Sequence, residues 1–88
     1  MIKIYTANYC PYCEKAILLL FRKGVDFEVF DATDNQALRQ SLTVETGCKT
    51  VPQIFINDKF IGGFSDLSAL DNSGDLDMIL NGVENGEE

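Results

Sequence analysis

The chain contains no histidine, and only three of its 88 residues are cysteine: Cys10, Cys13 and Cys48. A zinc site normally needs four ligands, and with no histidine and one further cysteine beyond the Cys10–Cys13 pair this chain is not expected to close one alone. The odd number also fails as the set of paired bridges by which small secreted domains offset a small core. Basic residues run out as well. Residues 1–59 balance seven Lys and Arg against seven Asp and Glu, whereas residues 60–88 hold seven acids and no base, giving a net charge of −7. Such a surface repels nucleic acid and anionic lipid, and neither is expected as a partner. It reads as a solubilising surface or as a docking face for a basic protein. Long apolar runs are missing too. The longest, "AILLLF", has six residues, against about 20 for a membrane-spanning helix. "MIKIYT" shows neither a signal-peptide apolar region nor a cleavage site, so the expected setting is the reducing cytoplasm.

What is present is the composition of one globular domain, 45% hydrophobic and 24% charged. Residues 1–82 read as that single domain and 83–88 as an acidic tail that frays. "IKIYT" (2–6) is β-branched and aromatic and reads as a strand. A helix over 11–23 follows, with Cys10 at its N-cap, Pro11 at its first position and Gly24 at its C-terminal cap. Its apolar face comprises Cys13, Ala16, Ile17, Leu20 and Phe21. "VDFEVF" (25–30) alternates as a strand with one buried face, and two strands so closely joined by a helix imply parallel pairing. A second helix is capped between Thr33 and Asn35, runs to about Thr46 and ends at Gly47. "PQIFI" and "KFIGG" flank Asn57-Asp58 as a hairpin. Ser65 or Asp66 caps a short helix through Leu70, and "DLDMIL" (75–80) adds a last turn or two. The order is β-α-β-α-β-β-α, an α/β domain.

Cys10-Pro-Tyr-Cys13 then carries the chemistry. As a purely structural disulfide it would close a tiny loop and stabilise little. A redox pair fits better. Cys10 lies where a helix presents unpaired N–H groups and partial positive charge, which favours thiolate over thiol. Cys13 is one turn further in and faces the core. Cys10 is the exposed nucleophile and Cys13 the resolving thiol.

Three motifs carry a family resemblance over residues 2–80. Cys10-Pro-Tyr-Cys13 resembles the dithiol active site of glutaredoxins. Thr50-Val51-Pro52 before "QIFI" is similar to their second signature, and Gly62-Gly63-Phe64-Ser65-Asp66-Leu67 to their third. The resemblance implies a thioredoxin-like fold with a four-stranded mixed sheet flanked by helices. It also implies a glutathione site. There Val51 would offer its backbone to the cysteinyl part, between Thr50 and a cis Pro52 that also belong to the site, although cis occurs at only ~5–6% of X–Pro bonds in general. Gly63, Ser65 and Asp66 would take the γ-glutamyl end at a helix N-terminus. Tyr12 would flank the bound sulfur, and Arg39 would meet the glycyl carboxylate. Ala7 stands where many relatives carry lysine, and Lys49 is its possible substitute. Plain structural readings stand beside these: Arg39 and Lys49 as solvated residues, Gly62-Gly63 as a tight turn, Asp66 as a cap, Tyr12 as a cover for the helix start, and Cys48 as a small loop residue.

The implied activity is glutathione-dependent thiol–disulfide exchange, with glutathione as co-substrate and no metal. Substrates would be disulfide-bonded or glutathionylated proteins, ribonucleotide reductase among the candidates, and the chain would act as a monomer. One rival is a thioredoxin-like electron donor served by a reductase protein, which would have no use for the Ser65-Asp66 site. The other is a glutathione-assisted carrier of an iron–sulfur cluster, against which the second active-site cysteine argues.

Overall fold

Alternation in β1 (Ile2–Thr6) buries Ile2, Ile4 and Thr6 on one face and turns Lys3 and Tyr5 to the other. In the computed structural model, which describes residues 1–8 and 10–81, β1 lies inside a four-stranded mixed sheet. It pairs in parallel with β2 (Glu28–Asp31) and antiparallel with β3 (Gln53–Ile56), which pairs in turn with β4 (Lys59–Gly62). The strand order is β2-β1-β3-β4. Four helices accompany the sheet: α1 (Pro11–Arg22), α2 (Gln36–Thr46), α3 (Phe64–Ser73) and α4 (Asp75–Leu80). The thioredoxin-like order is as expected, with the last helical region divided in two. The acidic tail expected at 83–88 lies outside the described residues.

The core forms where α1, α3 and α4 meet one face of the sheet. Ile2, Ile4, Ile54 and Ile56 from the strands pack with Ala16, Leu20, Leu67 and Leu76 from the helices. Fully burying one such Leu or Ile stabilises the fold by about 1.5–3 kcal/mol. Phe21 does not join them and is 72% exposed. It sits about 100° further round the helix than Leu20, beyond the arc that the sheet and α3 cover. A row of rings crosses the opposite face of the sheet. Tyr5 stacks on Phe30 at 5.0 Å and meets Phe55 edge-on at 5.6 Å, and Phe55 lies 5.2 Å from Phe60.

Two other elements differ from the sequence reading. The strand expected from Val25 begins only at Glu28, although Val25 and Phe27 still pack against the core from the connecting segment. Val29 shares its face with Ile4 but stays 47% exposed, because β2 is the outermost strand and has a neighbour on one side only. The third helix starts and ends elsewhere as well. Its N-cap is Gly63, and it runs on to Ser73, where Gly74 in the left-handed region (φ 87°) breaks it before α4. Lys23, just past the end of α1, pairs with Asp71 of α3 and Asp77 of α4 and ties three helices together. Asp71 first, and Asp77 with it, raises the pKa of Lys23.

Candidate dithiol active site

Cys10 caps α1 in an extended conformation (φ −113°, ψ 97°), and its Sγ accepts the Cys13 N–H at 3.2 Å. The sulfur thus takes up one of the donors that every helix start leaves open. As a thiol, Cys10 also donates to the Val51 carbonyl at 3.7 Å, across the site. The loop leading to Cys10 is anchored from behind: the Asn8 N–H donates to Thr33 Oγ1 at 2.7 Å, and Thr33 is held in turn by Asp31. Cys10 is partly exposed, whereas Cys13 is only 2% exposed.

Burial pushes the Cys13 thiol up to about 12, and hydrogen bonding to Cys10 adds to the shift. The Ala7 backbone and the positive charge of Arg39 pull weakly the other way. The two sulfurs therefore differ in role. Cys13 holds its proton in the folded protein, and Cys10 presents its sulfur at the surface.

A groove of about 600 Å³ opens beside Cys10, and it brings together Tyr12, Thr50, Val51, Pro52, Gly63, Ser65 and Asp66. The Val51–Pro52 peptide bond is cis. The remaining sequence-predicted residue, Arg39, does not line this groove. It lies with Lys49, Thr33 and Asp34 on a larger depression of about 890 Å³ along α2, and the 48–50 loop separates the two. The larger depression is not where the sulfurs are.

The far end of the groove is the N-terminus of α3. Asp66, its third residue, accepts the Gly63 N–H through Oδ2 at 3.0 Å. This interaction sets the helix start earlier than Ser65, and glycine supplies no cap of its own. Gly62 adopts φ 127°, and a Cβ there would overlap the Asp66 carboxylate. The turn is therefore glycine for two reasons, conformation and space.

Sequence reasoning passed over Gln53. This residue is 2% exposed, and its Nε2 donates to the carbonyls of Cys48 (2.8 Å) and Thr50 (3.1 Å), while Oε1 lies 3.1 Å from Thr46 Oγ1. Thr46 also accepts the Cys48 N–H at 3.1 Å. One buried amide thus shapes the loop that forms a groove wall. The signal was a polar residue opening an otherwise apolar strand, "QIFI". Cys48 and Phe64 line the groove as well.

A mixed sheet in this order, with a Cys-x-x-Cys pair at the start of α1 and a cis proline at the start of β3, defines a thiol–disulfide oxidoreductase of thioredoxin-like fold. Residues 2–61 match the family model described as Glutaredoxin. Glutaredoxin 3 of Escherichia coli is 47% identical over 79 residues, covering 90% of this chain and 95% of that protein. A glutaredoxin of Pseudomonas aeruginosa is 46% identical over 79 residues, covering 90% and 94%. Among solved structures, a buckwheat glutaredoxin–glutathione complex superposes with a TM-score of 0.86 at 28% identity, covering 91% of this chain and 76% of that one. Glutaredoxin from Brucella melitensis superposes with a TM-score of 0.81 at 44% identity, covering 90% and 86%. The chain belongs to the glutaredoxin family.

Proposed function

We propose that the oxidoreductase draws its electrons from glutathione and reduces both protein disulfides and glutathione mixed disulfides. The observation that carries this reading is the groove: it runs from Val51, whose carbonyl accepts from Cys10, to the N-terminus of α3, with Asp66 there. That is a strand-like backbone for a cysteinyl unit and, beyond it, donors for a carboxylate. Asp66 uses Oδ2 for its own helix, and its other oxygen can accept from an ammonium group. Tyr12 borders the sulfur end. Lys49 in the 48–50 loop and Arg39 beyond it line the neighbouring depression, where a glycyl carboxylate could reach them.

In the forward reaction the Cys10 thiolate attacks the glutathione sulfur of a mixed disulfide and expels the substrate thiolate. A second glutathione thiolate then attacks the Cys10 mixed disulfide, releasing oxidised glutathione. With a protein disulfide, Cys10 forms the mixed disulfide with the substrate and Cys13 displaces it, closing the Cys10–Cys13 bond. Two glutathiones reopen that bond in the same two steps. Such cycling belongs in a reducing compartment such as the cytoplasm.

The test is turnover of a small glutathione mixed disulfide, supplied either with glutathione and glutathione reductase or with thioredoxin reductase. Turnover with the glutathione pair alone is the expected result. Turnover with thioredoxin reductase alone would overturn the reading.

A further inference from the structure

A second groove, of about 420 Å³, runs along the outer side of α1 and is lined chiefly by Lys15, Leu18, Arg22, Lys23, Phe64 and Asp71. It borders the dithiol groove at one residue. Phe64 belongs to both walls, and its ring lies 6.2 Å from that of Tyr12. Lys15 reaches back over the Tyr12 ring, with Nζ 5.3 Å from the centroid. Lys15, Leu18 and Arg22 follow one another at helical spacing, so they form a strip along one face of α1.

The charges of this groove are not balanced. Asp71 is already paired with Lys23, which also holds Asp77. Lys15 and Arg22 are exposed and make no salt bridge among the described residues. Between them Leu18 is 46% exposed. From residue 60 onward the chain has no cation at all. The strip is thus a cationic and apolar track leading away from the dithiol on an otherwise acidic molecule. Apart from Phe64 it shares no lining residue with the 50–66 groove that glutathione would fill.

We infer that this α1 groove docks the polypeptide around the target disulfide, and that the segment it takes is acidic, with carboxylates facing Lys15 and Arg22 and an apolar side chain against Leu18 and Phe64. The inference rests on the reading that protein disulfides are substrates. The chemistry is unchanged by docking. Cys10 displaces one sulfur of the polypeptide disulfide and Cys13 the other, so the polypeptide leaves with both thiols and the Cys10–Cys13 pair becomes the disulfide. The groove sets only how often the polypeptide is held in line.

The experiment uses pre-reduced protein in a single turnover, without glutathione, on one cystine-loop peptide flanked by Glu, Gln or Lys. At low ionic strength the Glu peptide should react about tenfold faster than the Lys peptide, falling to about twofold in high salt. The double variant Lys15→Glu/Arg22→Glu should reverse the order, and Lys15→Gln/Arg22→Gln should flatten it. Equal rates for the Glu and Lys peptides, or an unchanged order in the reversed variant, would overturn the inference. A small glutathione mixed disulfide separates this from the preceding proposal. The reversed variant should turn it over within about twofold of the unaltered protein, and a larger loss would overturn a role confined to docking. If the unaltered protein failed on that small substrate but kept the peptide order, glutathione dependence would fall and the docking groove would stand.

Discussion

The side-chain amide of Gln53 reaches back to the carbonyl of Cys48 at 2.8 Å. The strand that carries Gln53 therefore fixes the loop that precedes it. Gln53→Leu keeps the volume but removes the donor shared by the Cys48 and Thr50 carbonyls. It should cost about 1–3 kcal/mol in urea unfolding. The same change should raise the KM for glutathione more than it lowers kcat, because it loosens a wall and leaves the sulfurs in place. An unaltered KM would mean that the loop holds its shape unaided.

Cys10→Ser should abolish activity, since among the described residues no other thiol sits at a helix N-terminus. Cys13→Ser should retain exchange with glutathione mixed disulfides, which needs one sulfur, and lose reduction of protein disulfides, which needs two. Turnover of one substrate of each kind checks both. Equal loss of exchange in the two variants would contradict the roles assigned.

Asp66 serves its own helix and, by the proposal, an ammonium group. Asp66→Ala should weaken apparent glutathione affinity roughly fivefold, the loss of a charge-assisted bond worth ~1 kcal/mol at an exposed, solvent-screened site. Asp66→Asn keeps an acceptor for the Gly63 N–H but not the charge. It should restore thermal stability without restoring affinity. Gly62→Ala should resemble Asp66→Ala in affinity and be less stable, because the new methyl displaces the same carboxylate.

The reduced protein should lose stability in alkali. The Cys13 thiol titrates near 9.0 when unconstrained and near 12 in the fold. Between those values the native state binds the proton that the unfolded state has lost, so stability falls as pH rises across this window. The slope from this group is at most ~1.4 kcal/mol per pH unit. Denaturant unfolding of the reduced protein and of Cys13→Ala from pH 8 to about 11 should show a shallower decline in the variant. Parallel declines would mean that Cys13 does not titrate differently on folding.

Where structure depends on near neighbours, the sequence was a good guide. The start of α1 could be read from Cys10-Pro11, its end from Gly24, and the hairpin from Asn57-Asp58, whose φ angles of 52° and 68° are the left-handed pair that such a turn requires. Reading failed where the outcome depends on distant parts of the chain. Val29 alternates correctly yet remains half exposed, because only the strand order reveals that β2 is outermost. Gly63 displaced Ser65 as a cap because Asp66 turns back onto it. Seven of the glutathione-site residues inferred from family motifs line one groove, while Arg39 sits across the 48–50 loop. Helical periodicity does not say which side of a loop a side chain will reach. Gln53 was hidden because its partners are fixed by the loop's path.

The outermost position of β2 bears on how the protein behaves when concentrated. An open strand edge invites a second copy to add on, with aggregation as the result. Here that edge is ringed by the exposed acids Asp26, Glu28 and Asp31. The Thr33 hydroxyl and N–H hold the Asp31 carboxyl below its usual range, so its charge persists further into acid than that of a free aspartate. Mutual repulsion should keep neutral solutions clear. Light scattering should rise as the pH approaches 4.3, the isoelectric point of the sequence, where the net charge of the molecule vanishes and copies no longer repel one another.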